Sequence, residues 1–259
     1  MTNTQFKKFT PVIRNLTSAE LQGSASLNEK LRIAQDGPVE VCYAPFEYIN
    51  QKARIVIVGI TPGRTQMVNA LRECRHQLDA GADDQQVLKA AKQTGAFSGA
   101  MRPNLVALLN HVGLQHWLRL SSCEALFGEA SELVQTTSVL RNPVFVDGDN
   151  YNGTPNMVTH PLLKKQLIDG FGQDATALPD AVFIPLGDKV TMALHFLADC
   201  GLISKERILD GLPHPSGANA ERIAYFLGNK ERSALSRKTS PDKLDQARAG
   251  LMAKVVELA

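Results

Sequence analysis

A chain of 259 residues, 44% of them hydrophobic, carries enough apolar side chain to bury a sizeable core. Its 28 Lys and Arg against 26 Asp and Glu leave a formal charge of only +2, so charge alone marks no nucleic-acid binder. No segment approaches the ~18 uninterrupted apolar residues of a membrane span, and the opening MTNTQFKKFTPVIRN lacks the apolar centre of a secretion signal, so a single cytoplasmic domain over 1–259, with no membrane partner, is expected.

Residues 1–50 read as a helical N-terminal extension, in which SLNEK leads into LRIAQ and stops at the turn Asp36-Gly37-Pro38. Residues 54–60 (RIVIVGI) form a short, apolar, β-branched run, the pattern of a strand buried on both faces of a parallel sheet. The run stops hard at Gly59-Ile60-Thr61-Pro62-Gly63. Helical patterns follow at 66–75 and 84–92, and again at 104–112 behind Pro103. Further strands are expected at 133–140, 181–186 and 207–212, and further helices at 189–199 and 220–228. A helical C-terminal extension over 230–259 is rich in basic residues near its start. Strands alternating with helices argue for an α/β layered domain around a mainly parallel sheet.

In such sheets ligands bind beyond the carboxyl ends of the strands. The segments in question are Thr61-Pro62-Gly63-Arg64, then Arg141-Asn142-Pro143 with the polar loop to Gly153, then Gly187-Asp188-Lys189, and finally Pro213-His214-Pro215-Ser216-Gly217-Ala218-Asn219. A phosphate loop does not fit the first turn, because Gly59 and Gly63 enclose three residues rather than four and Arg64 stands where lysine is required. The dinucleotide fingerprint fails too, since no glycine follows Gly59 two residues on. Cys42, Cys74, Cys123 and Cys200 are scattered without a CxxC pair, so free thiols and no metal are expected. His111 and His116, five apart on one expected helix, do not share a face as zinc-binding histidines at i and i+4 would. His214 is different. It sits between two prolines in LPHPSGAN, a stiff loop at a strand end, which is a favourable setting for a working side chain.

Taken together, Gly59-Ile60-Thr61-Pro62-Gly63 and His214-Pro215-Ser216-Gly217-Ala218-Asn219 resemble the uracil-DNA glycosylase superfamily. Its members pair a Gly-x-x-Pro-Gly turn after the first strand with a His-Pro-Ser loop after the last, and the single-strand-selective and mismatch-specific branches are the nearest in flavour. Ala96-Phe97-Ser98 is similar to the stretch supplying the ring that stacks on the extruded base, and residues 181–187 (AVFIPLG) resemble the third strand and its terminal glycine. The four segments occur in the family's order between about 54 and 228.

The resemblance implies a three-layer α/β/α domain with a central four-stranded, mainly parallel sheet. It implies hydrolysis of the N-glycosidic bond of uracil or a related damaged base, by a monomer that needs no cofactor and whose partner is single- or double-stranded DNA. His214 would donate a hydrogen bond to the base as negative charge grows there, and Phe97 would stack on the flipped base. Gly59, Pro62, Gly63, Pro215, Ser216, Gly217 and Asn219 would contact the base or the DNA, with backbone N–H groups around Pro62, Gly63 and Ser216 holding flanking phosphates.

Two positions depart from the family pattern. Thr61 stands where the better-known branches place a water-positioning Asn or Asp. Thr137 or Ser138, with Asn142 nearby, occupies the base-reading position where several branches carry an Asn. A hydroxyl offers one donor where an amide donates and accepts along a pyrimidine edge. Asp147 or Asp149, in the polar loop that follows, is the candidate to supply the carboxylate that Thr61 lacks. Thr61 therefore leaves a second expectation open, a base-binding module of the same fold with weak or absent catalysis.

Overall fold

The computed structural model describes residues 4–22, 25–94 and 101–258. In chain order the helices are α1 (Thr4–Arg14), α2 (Ala25–Leu31), α3 (Arg64–Asp79), α4 (Asp84–Thr94), α5 (Met101–His111), α6 (Leu114–Leu118), α7 (Pro161–Gln166), α8 (Gln173–Thr176), α9 (Asp188–Asp199), α10 (Ala220–Phe226) and α11 (Pro241–Glu257). The strands are β1 (Arg32–Asp36), β2 (Val39–Cys42), β3 (Ile55–Gly59), β4 (Val134–Ser138), β5 (Val144–Val146), β6 (Asp149–Asn150) and β7 (Val182–Pro185). The chain is mixed α/β, and it divides into two compact units. Among the described residues no helix is long and apolar enough to cross a membrane.

The first unit comprises the described parts of 1–49, 60–96 and 137–177. Its sheet runs β1-β2-β5-β6, with each neighbouring pair antiparallel. The expected helical preface thus ends in a hairpin: Leu31 closes α2 and RIAQD forms β1, because the chain folds back at Gly37 and pairs Asp36 with Val39. Cross-strand pairing with the inward-facing Val39 and Val41 outweighs the weak helical preference of LRIAQ. The polar loop after residue 146 is a second hairpin. Asp147 (φ 51°) and Gly148 (φ 83°) are the two central residues between the paired Val146 and Asp149, the arrangement of a type I′ turn, for which Asp-Gly is a preferred sequence. The long segment after the Gly-Pro-Gly turn becomes the packed pair α3 and α4, longer at their ends than the periodicity suggests. Met67, Leu71, Cys74, Val87 and Leu88 of this pair bury against Phe6, Phe9 and Ile13 of α1 and against Tyr43 and Phe145.

The second unit comprises the described parts of 50–59, 97–136 and 178–259. Its sheet has the order β4-β3-β7. β3 and β7 pair in parallel from Ile55↔Val182 to Val58↔Pro185. Bonds from Arg54 N to Leu133 O and from Leu140 N to Ile60 O advance in the same sense, so β4 is parallel to β3 as well. Ile55, Val56, Ile57 and Val58 are all fully buried, as the apolar run of β3 requires of a strand covered on both faces.

The expected fourth strand at 207–212 is reduced to one parallel bridge, Phe183↔Ile208, with Leu209 N donating to Phe183 O. A 3-10 turn at Lys205–Arg207 precedes the bridge. Gly211 (φ 113°) and Pro213, which has no N–H, bend the chain away after it. The parallel sheet is therefore three-stranded among the described residues rather than four-stranded. Its core joins Ile55, Ile57, Val182 and Ile184 to Leu105, Leu108 and Leu109 of α5, to Phe226 of α10 and to Leu251 and Val255 of α11. His111 and His116 fall on two helices, α5 and α6, rather than on one.

Candidate functional site

The sheet of the second unit reverses its winding between β3 and β7, which is where open parallel sheets place their ligand crevice. Gly59 ends β3, and Gly187 follows β7. A Cβ built on Gly187 would lie 3.6 Å from Cδ2 of His214, so the histidine ring rests directly on that glycine.

The His214 loop is held by its own side chains. The Ser216 N–H donates to Nδ1 of His214 at 3.2 Å. In a neutral ring this bond assigns Nδ1 as acceptor and leaves the proton on Nε2, so Nε2 is the ring's donor. Burial pushes the His214 pKa below its ordinary value of 6.5, which keeps the ring neutral through neutral pH. Nδ2 of Asn104 on α5 donates to the Pro215 carbonyl at 2.9 Å. Nδ2 of Asn219 donates to Oγ of Ser216 at 3.2 Å, and the guanidinium of Arg222 donates to Oδ1 of Asn219 at 3.0 Å. Gly217–Asn219 form a 3-10 turn that leads into α10. His214, Pro215, Ser216, Gly217 and Asn219 are thus brought together in one braced loop.

Thr61, Pro62, Gly63, Thr137, Ser138 and Asn142 belong to the first unit. The Thr61 hydroxyl donates to the Asn142 carbonyl at 3.2 Å and accepts from the buried Val144 N–H at 3.1 Å. Its single proton is engaged in tying two backbone segments together. Asn142 is 4% exposed, and its Nδ2 reaches Gln166 Oε1 at 3.5 Å. Thr137 and Ser138 lie half-buried at the end of β4. Phe97 lies outside the described residues.

The Gly63 and Ser216 amides of the expected phosphate cradle are already engaged within the fold. Pro62 has no N–H, the Gly63 N–H donates to Gln66 Oε1 at 2.9 Å, and the Ser216 N–H is the one bonded to His214. The neighbouring Arg64 N–H donates to Asn150 Oδ1 at 2.9 Å. Arg64 itself donates to Asn28 Oδ1 and to the Gly148 carbonyl, both at 2.9 Å, and stacks 4.3 Å from the centre of the Phe145 ring. Its charge fastens the β5–β6 hairpin to α2. Asp147 and Asp149 are exposed on that hairpin.

The first unit also buries a charged group that the sequence reading passed over. One nitrogen of Arg141 donates to both carboxylate oxygens of Asp174, at 2.8 and 2.9 Å. Lys92, 7% exposed, donates to the Phe46 carbonyl at 2.9 Å, and burial lowers its pKa from 10.5 to about 8. The Tyr43 hydroxyl donates to Glu47 Oε2 at 3.2 Å, and burial pushes the Glu47 carboxyl above its usual range. Among the described residues Oε1 of Glu47 and Nε of Arg141 are buried without a hydrogen-bond partner. A signal existed for Lys92, which falls four residues after Leu88 on the apolar stripe of α4. Glu47 and Asp174 carry no comparable mark. Cys42, Cys74 and Cys123 are buried thiols whose pKa burial raises to about 12, whereas Cys200 is exposed.

No family model matches the chain, and no solved structure matches it significantly. It is similar to the uncharacterized protein YoxB of Bacillus subtilis (strain 168), with 34% identity over 229 residues that cover 87% of this chain and 89% of that protein. Identity of that level along nearly the whole of both chains places this protein in the family of Bacillus subtilis YoxB.

Proposed function

We propose that this chain is a DNA glycosylase of the uracil-DNA glycosylase superfamily, acting on uracil or a related damaged base in base excision repair. The observation that carries the reading is the His214 loop. A neutral imidazole with its tautomer set by the Ser216 N–H and its Nε2–H as donor stands at the carboxyl end of a parallel sheet, next to the strand-terminal Gly187. On this reading the three strands and the Ile208 bridge correspond to the central four-stranded sheet of a three-layer α/β/α plan, with the last strand worn down to one residue pair.

Cleavage of an N-glycosidic bond leaves positive charge on the sugar and negative charge on the departing base. A fixed donor aimed at the developing anion lowers the barrier, typically by ~3 kcal/mol. The base must first leave the helical stack, at a cost of a few kcal/mol that is least for mismatched or single-stranded sites. His214 fills the donor role without a change of protonation. Its Nδ1 is occupied, so an added proton there would oppose the Ser216 N–H and loosen the loop.

The second reading, a base-binding module with weak chemistry, draws on Thr61, whose hydroxyl proton is already engaged by Asn142. Incubation with labelled single- and double-stranded oligonucleotides carrying uracil, hypoxanthine, xanthine or hydroxymethyluracil, followed by alkali, separates the two. Strand scission selects the glycosylase, and retained binding without scission selects the module.

A further inference from the structure

Six residues carry the chain from the Ile208 bridge to His214; two helices hold this short path and a third holds the residue just beyond it. On one side of Asp210, Nε2 of His195 on α9 lies 2.8 Å from Oδ2. On the other side, Nζ of Lys254 on α11 donates to Oδ1 at 2.9 Å and also to the Ile208 carbonyl at 2.9 Å. One ammonium thus spans the last sheet residue and the carboxylate two positions on. Ala247, Leu251 and Lys254 are spaced to share one face of α11. All three meet the same stretch of chain. A Cβ on Gly211, where φ is 113°, would stand 3.0 Å from the Ala247 Cβ and 3.5 Å from the Leu251 side chain. Only glycine allows this approach with this backbone. Beyond His214, Asn104 of α5 holds the Pro215 carbonyl.

We propose that α9 and α11 form a strut that positions His214, with Asp210 as the positioning residue through which they act. The proposal rests on the reading of His214 as the leaving-group donor, and it gives the C-terminal helix, which no motif covers, a task at that site. The side chains of His195, Asp210 and Lys254 are 32%, 27% and 38% exposed. Ion pairs so open to solvent add little to global stability. Their value here is geometric, because they act on a six-residue span whose far end is tethered. Burial alone would raise the Asp210 pKa, but the hydrogen bonds from His195 and Lys254 outweigh it and keep the carboxylate charged.

The test compares wild type with Asp210→Asn, Lys254→Met and Lys254→Arg. The reporters are amide exchange at Ser216 and the imidazole nitrogen resonances of His214. Asp210→Asn and Lys254→Met are expected to speed Ser216 exchange on the order of tenfold and to shift the imidazole toward averaged tautomers, at nearly unchanged melting temperature. Lys254→Arg, which keeps the charge and the donors, restores both signals. Where the wild type cleaves a uracil oligonucleotide, kcat falls ~10- to 100-fold in the two disrupting variants while KM holds. Wild-type exchange and imidazole resonances in both disrupting variants, or wild-type kcat in both, would overturn the strut. A wild type that cleaves none of the oligonucleotides would instead overturn the donor reading, and the exchange and resonance data would still decide whether the strut exists.

Discussion

Thr61 and His214 answer the same sequence logic in opposite ways. Each is a polar residue in a proline- and glycine-bearing turn at a strand end. In the first unit the Thr61 hydroxyl gives its proton to Asn142 and takes one from Val144, so the fold consumes what the side chain has to offer. In the second unit the Ser216 N–H occupies the Nδ1 side of His214, and in doing so leaves the proton on Nε2 as a donor. A polar residue in a motif position is available for chemistry only to the extent that the backbone around it has not already claimed its donors and acceptors.

The comparison breaks most sharply at His214. His214→Ala should lower oligonucleotide cleavage ~10²- to 10³-fold, the usual loss for a preorganised donor, with an unchanged far-ultraviolet spectrum. Activity within a few-fold of wild type would remove the leaving-group role. Because burial depresses the His214 pKa, the wild-type rate should stay level through neutrality and fall only below the ordinary 6.5, as protonation opposes the Ser216 N–H.

Next in size is Lys92, a test of how far the first unit trades charge for structure. Its folded pKa of about 8 lies below the unfolded 10.5, so the unfolded chain holds the proton more tightly. Stability conferred by this residue therefore rises as pH climbs from 8 to 10.5, by about 3 kcal/mol in all. The buried thiols and Tyr43, whose raised pKa values pull the other way at alkaline pH, are common to both proteins, so the difference between wild type and Lys92→Met isolates the lysine. Urea midpoints across that window should diverge in favour of wild type. Parallel curves would mean that Lys92 is hydrated.

Thr61→Val is the mirror experiment to His214→Ala. It leaves the buried Val144 N–H without its acceptor, at a cost of ~1–2 kcal/mol in urea unfolding, while single-turnover cleavage changes less than about threefold if the hydroxyl is structural. A rate loss near that of His214→Ala with unchanged stability would restore Thr61 as the water-positioning residue.

How legible the molecule was depends on the kind of signal each part emits. β3 and β7 are apolar on both faces and announced themselves, and so did the helices that follow them. Residues 207–212 (RILDGL) are only half apolar, and Gly211 and Pro213 end the pairing after Ile208, where Gly211 also meets α11, which is distant in sequence. LRIAQ has no strong preference of its own, so its partner VEVC decided its fate. The Asp147-Gly148 turn was legible in principle, since Asp-Gly is a hairpin signature, but the flanking strands are too short to draw attention. The His214 loop was readable because its prolines and serine are local. The atoms that set its tautomer lie two residues apart, whereas the partners that disarm Thr61 lie more than 80 positions away.

The smallest effect belongs to Asp147 and Asp149. A carboxylate able to replace the missing Asn or Asp would have to face a reacting water out of bulk solvent, yet both side chains are exposed on the β5–β6 hairpin. Asn tolerates the left-handed backbone at residue 147 as well as Asp does, so Asp147→Asn preserves the turn. Asp149→Asn leaves the pairing with Val146, which is a backbone matter, in place. Both variants should therefore keep stability within ~0.5 kcal/mol of wild type and cleavage within about twofold. A large loss of cleavage in Asp149→Asn, with the fold intact, would instead make that carboxylate the water-assisting group and leave Thr61 its backbone-tying role.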